Sequence, residues 1–269
     1  MTDTIVLLHG GATGSSSWNP VARALVSSGA SVFAPDMLGY GASPAPTGSY
    51  AIAEEVAHLT RLLGLQPHSC NGTIYAVGFG GTFHLVTHSL GALIGLHLRR
   101  ALGARVTRMT LVDPVLVSVL RECGEDDAYA EMEEQYQRFM SLSADHEAAA
   151  HYFVDHWGGA GAWDSMGSRG RTTVRSLVPT LRLEMTATRS DTATLGWLAE
   201  SPPPTIILVG ERTLLAPSAA ARLLGAALRA TTVVVPGAGH MIPITYPEAV
   251  VDAVRRDVVA RSRSEGARA

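Results

Sequence analysis

Apolar runs of strand length alternate along this chain with longer stretches in which apolar residues recur every three or four positions. The short runs suit buried strands, whereas the wider spacing puts an apolar stripe on one side of a helix. Strands are expected at Ile5 to Leu8, Ser31 to Ala34, Phe83 to Thr87, Val106 to Val112, Thr205 to Val209 and Thr231 to Val235. Helical patterns lie between them, near Trp18 to Ser27, Ala51 to Leu63, Leu90 to Leu102, Ala219 to Leu228 and Pro247 to Ala260. Such alternation marks βαβ units and therefore the α/β class, a mostly parallel sheet with helices on both faces. The closing RSRSEGARA reads as a frayed tail.

From about Val115 to Ser201 the strand pattern stops, and helical, acidic and aromatic sequence replaces it. We read residues 115–201 as an inserted helical cap, and residues 1–114 with 202–269 as one core domain. Pro202, Pro203 and Pro204 return the chain to the sheet, because proline favours an extended entry. Tyr136, Phe139, Tyr152, Phe153, Trp157 and Trp163 either line an apolar pocket under this cap or fasten its helices to the core. The run Glu125-Asp126-Asp127 with Glu131, Glu133 and Glu134 is the solvated face of a cap helix. Residues 66–82 form a connection longer than the usual few residues, to which no role is assigned.

Composition narrows the chemistry. A hydrophobic content of 46% beside 17% charged residues belongs to a folding domain rather than a disordered chain. A net charge of -3 offers no basic excess to neutralise phosphates, so nucleic acid is a poor partner and a small molecule a better one. All 21 basic residues are Arg, which excludes a Schiff-base lysine and a Walker lysine and, with the many alanines, suggests a GC-rich bacterial genome. No apolar stretch approaches the roughly 20 residues of a membrane span. The N-terminus carries no signal-peptide pattern and Cys70 and Cys123 are the only cysteines, so a reducing cytoplasm is expected. No metal-ligand spacing such as HExxH occurs, and neither a metal nor any other cofactor is expected.

Three motifs stand at strand ends. His9-Gly10-Gly11 follows the first strand and is either a tight turn or a loop whose Gly11 N–H binds a developing oxyanion. Thr87-His88-Ser89-Leu90-Gly91 joins a strand to a helix, with Ser89 either a helix cap or an exposed nucleophile on a strained turn. Thr87 is larger than the glycine usual two residues before such a serine. Gly237-Ala238-Gly239-His240 follows the last strand, and His240 comes after Ser89 in the order a Ser…acid…His triad requires.

Together VLLHGG, APDMLGYGAS, TFHLVTHSLGA, VVVPGAGHMIP and PEAVVDAV resemble the α/β-hydrolase superfamily over nearly the whole chain outside the cap. The resemblance implies the α/β-hydrolase fold, Ser89 as nucleophile, His240 as its base, and Gly11 with Leu90 as oxyanion donors. His9 and His88 are then supporting or packing residues. The acid departs from the family pattern: Gly-Glu-x-Asp is represented by Gly210-Glu211-Arg212-Thr213, and Thr213 carries no charge. Asp113, followed by Pro114 at the end of the preceding strand, is the best replacement, because strand C-terminal ends face the site in open α/β sheets. Glu211 and then Asp191 follow as candidates, and a plain turn carboxylate is the alternative reading of Asp113.

The reading that results is a cofactor-free serine hydrolase of the cytoplasm acting on an ester or lactone of a small, largely apolar molecule. Trp157, Trp163, Tyr136, Phe139 and Met241 are expected to contact that substrate. The alternatives are a lyase, cyclase or cofactor-free oxygenase on the same fold, and a binding protein without catalysis.

Overall fold

The computed structural model describes residues 4–46, 48–65 and 81–266. Its centre is one sheet of six parallel strands: β1 (Thr4–Leu8), β2 (Ser31–Phe33), β3 (Phe83–His88), β4 (Val106–Val112), β5 (Thr205–Gly210) and β6 (Thr231–Val235). Their order across the sheet is β2-β1-β3-β4-β5-β6. The strands fall where the apolar runs placed them, to within a residue at the ends. β3 and β5 are buried along their whole lengths, as strands covered on both faces are, while the edge strand β6 is mostly exposed.

The period-two alternation of strand side chains divides the core into two layers. Val6, Leu8, Leu85, Leu111 and Ile207 point to one face, where they meet α2 (Ile52–Thr60), α3 (Leu90–Leu102) and α10 (Leu215–Ala227). Ile5, Leu7, Val86, Val112 and Leu208 point to the other, against α1 (Asn19–Ser27) and α12 (Pro247–Gly266), with α11 (Ile242–Thr245) preceding α12. α10 begins four residues before the pattern indicated, because Pro217 lies in its first turn, where a missing N–H costs no helical bond. The tail expected to fray continues as helix through Gly266.

Between β4 and β5 the chain runs through α4 (Val117–Glu122), α5 (Asp126–Leu142), α6 (His146–Gly158), α7 (Ala162–Ser165), α8 (Ser168–Ser190) and α9 (Leu195–Leu198). Phe139, Phe153, Trp163, Val178 and Leu181 form a third apolar cluster inside this helical segment. Of the long connection 66–82, all but the last two residues lie outside the described residues.

Parallel pairing aligns the ends of the central strands: Leu8 opposes Thr87, His88 opposes Val112, and Val112 opposes Leu208. All four chain segments leave the sheet at the same rim. Two glycines on α3 allow the turn around Ser89 to sit there. A Cβ on Gly91 would lie 2.5 Å from the carbonyl oxygen of His9 and 2.8 Å from that of Leu8. A Cβ on Gly95 would lie 2.6 Å from Cγ2 of Thr87. The bulk that Thr87 adds before the serine is therefore absorbed by a missing side chain two helical turns away.

Gly95→Ala should destabilise the fold by about 1–3 kcal/mol through overpacking, a loss read from urea unfolding. Thr87→Ser removes the opposing methyl, so the double variant Thr87→Ser with Gly95→Ala should recover much of that stability. Additive losses would show that the two side chains do not compete for one space.

Candidate active site

Ser89 stands between β3 and α3 with φ 55° and ψ -123°, a backbone conformation that L residues rarely adopt. Its N–H donates to the carbonyl of Val112 at 3.1 Å, and its own carbonyl accepts from Ala92 N–H at 2.9 Å. The turn is thus held from the neighbouring strand and from the helix it starts. The hydroxyl is delivered to the rim, 2.9 Å from Nε2 of His240.

His240 lies on the loop after β6. Its Nδ1 donates to Oδ2 of Asp113 at 2.6 Å, and its carbonyl oxygen accepts from Nε2 of His88 at 2.9 Å. Asp113 is fully buried directly after β4 and itself has φ 45°. Its Oδ1 accepts from Gly210 N–H at 3.0 Å, and its Oδ2 also accepts from the hydroxyl of Thr213. Three donors therefore meet one buried carboxylate, as a charge withdrawn from water requires. Glu211 turns away and accepts from Gly237 N–H at 2.7 Å, and Asp191 pairs with His97 at 3.3 Å. Of the three acids considered from the sequence, Asp113 alone contacts His240. Thr213, at the position the family pattern reserves for aspartate, binds the carboxylate that replaces it.

Gly11 and Leu90 line the cavity beside Ser89. Leu90 is the first residue of α3, so its N–H has no partner within the helix. Gly11 lies beyond the end of β1 and outside the ladder.

The cavity has a volume of about 880 Å³ and is largely apolar. Tyr136, Trp157 and Met241 line it, together with Phe153, Leu181 and Met185. The Trp157 ring lies 4.4 Å from that of His240, centre to centre. Phe139 and Trp163 correct the sequence reading: both are buried in the cap's own cluster and neither lines the cavity. Their apolar bulk is used to join cap helices to one another, a role that residue type does not distinguish from pocket lining.

Sequence reasoning passed over Tyr40 and Glu184. Glu184 is buried, lines the cavity, and accepts a 2.8 Å hydrogen bond from the Tyr40 hydroxyl. Its signal was present: Val174, Leu177, Val178, Leu181 and Glu184 follow helical spacing, which puts a carboxyl on the apolar stripe of α8. Among the described residues, no group of three or more His, Cys, Asp or Glu is placed to hold a metal ion, and no helix is long and apolar enough to cross a membrane.

Comparison with known proteins agrees with this architecture. Residues 5–253 match the model of the Alpha/beta hydrolase family, and the chain belongs to that family. It is similar in structure to an enol-lactonase from Burkholderia xenovorans LB400, with a TM-score of 0.72 at 20% identity over 96% of this chain and 92% of that one. A hydrolase from Pseudomonas aeruginosa PA01 gives 0.70 at 20% identity over 94% and 88% of the two chains. In sequence, 116 residues are 29% identical to the probable lysophospholipase BODYGUARD 3 of Arabidopsis thaliana, covering 42% of this chain. The match spans only 21% of the length of that relative.

Burial sets opposing pH dependences. It pushes His9 and His156 down to about 4 and His84 and His88 down to about 3, and it pushes Glu55 up to about 7 and Glu184 up to about 8. Between about pH 4 and 6.5 the unfolded chain binds more protons at these histidines, so their contribution to stability rises with pH. Between 4.5 and about 7 to 8 the folded chain binds more protons at the two glutamates, so theirs falls. Four histidines outweigh two glutamates up to about pH 6.5, above which the glutamates come to dominate. The urea midpoint should therefore climb from about pH 5 to 6.5 and decline toward 8, and Glu184→Gln should shrink the decline. A midpoint that stays level above 6.5 would contradict this assignment.

Proposed function

We propose that this protein is a serine hydrolase that cleaves an ester or lactone of a small, largely apolar molecule through an acyl-enzyme, with no cofactor. The observation that carries the reading is the continuous line from buried Asp113 through His240 to the Ser89 hydroxyl, opening on an apolar cavity. A serine hydroxyl is a weak nucleophile until an imidazole accepts its proton. In this reading His240 Nε2 takes that proton as Ser89 Oγ bonds to the substrate carbonyl carbon. The carbonyl electron pair moves to oxygen, which Gly11 and Leu90 N–H stabilise. Collapse of the tetrahedral intermediate breaks the bond to the leaving oxygen, which receives the proton from His240. Water, activated by His240, then releases the acid and restores Ser89.

Asp113 fixes the imidazole with its proton on Nδ1, leaving Nε2 free to accept. The apolar walls favour an acyl or lactone body without charge. An enol-lactonase among the similar structures is compatible with that bond class. At such identity it speaks for the fold alone.

Ser89→Ala should lower turnover of p-nitrophenyl butanoate by about 10³-fold or more, and fluorophosphonate should label wild-type Ser89 stoichiometrically. His240→Ala should be as severe, with the double variant little worse than either. Undiminished turnover in Ser89→Ala would remove the nucleophile.

Asp113→Asn should cost up to about 10⁴-fold in kcat with the fold intact, because the amide permits the wrong imidazole tautomer. Adding Thr213→Asp places a carboxylate where a hydroxyl already reaches the same atom, so part of the loss should return. If Asp113→Asn stays within a few-fold of wild type, Asp113 is a turn residue only.

A further inference from the structure

We propose that Tyr40 and Glu184 are positioning residues of the oxyanion site, through which the cap fixes the loop that carries the Gly11 N–H. The inference rests on the serine-hydrolase reading above. It concerns the two peptide groups on either side of Gly11.

The first of these groups joins Gly10 to Gly11. Its carbonyl, on Gly10, accepts from the Thr13 hydroxyl at 2.9 Å and from His9 Nδ1 at 2.8 Å. His9 can donate there because its Nε2 accepts from Met37 N–H at 3.0 Å and burial keeps the ring neutral, with its pKa down at about 4. A trans peptide points its N–H opposite its carbonyl, so these two bonds also fix the direction of the Gly11 N–H.

The second group joins Gly11 to Ala12, and its N–H donates to the Tyr40 hydroxyl at 3.0 Å. Ala12 has φ 61°, a left-handed conformation that an alanine holds only under constraint from its surroundings. The constraint comes from Tyr40, whose ring also packs edge-on against His9 at 4.6 Å between centres. The Tyr40 hydroxyl accepts from Ala12 and donates its own hydrogen to Oε2 of Glu184, so both its capacities are used.

Glu184 belongs to α8, so the last link in this chain is the cap itself. The cap also lies directly over the loop: a Cβ on Gly11 would be 3.4 Å from Leu181, 3.5 Å from Glu184 Oε2 and 3.6 Å from Phe153. Burial and the nearby Glu55 carboxyl push Glu184 up to about 8, and burial holds the Tyr40 phenol well above its ordinary value. At neutral pH the link is an uncharged O–H···O bond, which persists in a low-dielectric wall without needing a counter-ion.

A packing role alone would make Tyr40 and Glu184 matter for stability; a positioning role makes them matter for the transition state. The test uses the full-length chain as Tyr40→Phe, Glu184→Met, Glu184→Gln and the double variant Tyr40→Phe with Glu184→Met. Turnover is measured with p-nitrophenyl butanoate. Binding is measured with a butyl trifluoromethyl ketone, which forms a tetrahedral oxyanion on Ser89, and with the matching methyl ketone, which resembles the ground state.

Tyr40→Phe and Glu184→Met should each lower kcat by about 10- to 100-fold with KM within about threefold, short of losing an oxyanion donor outright. The trifluoromethyl ketone should weaken by the same factor as kcat/KM and the methyl ketone by less than about twofold. Glu184→Gln should recover most of the loss seen in Glu184→Met, because its amide oxygen still accepts from Tyr40. The double variant should be within about twofold of Tyr40→Phe, since both changes cut one path.

Losses that multiply in the double variant, equal weakening of the two ketones, or a Gln variant as poor as the Met variant would each overturn the proposal. Normal kcat in Tyr40→Phe while fluorophosphonate still labels Ser89 would overturn this inference alone. Absence of labelling in the wild-type chain would overturn the hydrolase reading and this inference with it.

Discussion

A carboxylate withdrawn completely from water needs donors on every side, and the residues that answer Asp113 define the geometry of the whole rim. Gly210 N–H at the end of β5, the Thr213 hydroxyl after it and His240 Nδ1 from the loop after β6 all converge on it. The strand that carries Asp113 also accepts the Ser89 N–H through Val112. One anion and one strand end thus set the relative positions of four segments. Removing a partner from such a group exposes an uncompensated buried charge, so the arrangement resists partial change. The same demand explains Thr213: a neutral hydroxyl serves an acid arriving from the neighbouring strand, where a second carboxylate would repel it.

Features written in consecutive residues were legible in the sequence. The strands showed as apolar runs, and the glycine-flanked turns around Ser89 and His240 carried their own backbone requirements. The position of Asp113 was also accessible, because the parallel order of strands brings their C-terminal ends together whatever lies between them. The division of aromatic residues within the cap was not. Phe139 and Trp157 are both aromatic residues on cap helices, yet one is enclosed among helices and the other faces His240. Their difference depends on the angles at which helices cross, which periodicity does not encode. Tyr40 and Glu184 were missed for a related reason: each is unremarkable locally, and their significance arises from a contact spanning 144 positions.

The cap joins the site at two chemically different places. Trp157 sets an aromatic face beside the proposed base, while Glu184 reaches the opposite loop through Tyr40. Apolar contact is tolerant of small displacement; a hydrogen bond weakens steeply with angle. The cap is therefore free to adjust its pocket wall more readily than its link to the glycine loop.

Every strand pair in the sheet is parallel, so none of the six strands can pair with its neighbour until the intervening chain has crossed over. The hydrogen bonds of His240 reach 151 positions back to Ser89 and 127 back to Asp113. Loop closure on that scale comes late, after local helices and the first strand crossovers have formed. A refolding chain will thus recover its helical content well before the serine and histidine meet, and the return of the Ser89–His240 hydrogen bond marks the completion of folding, not its onset.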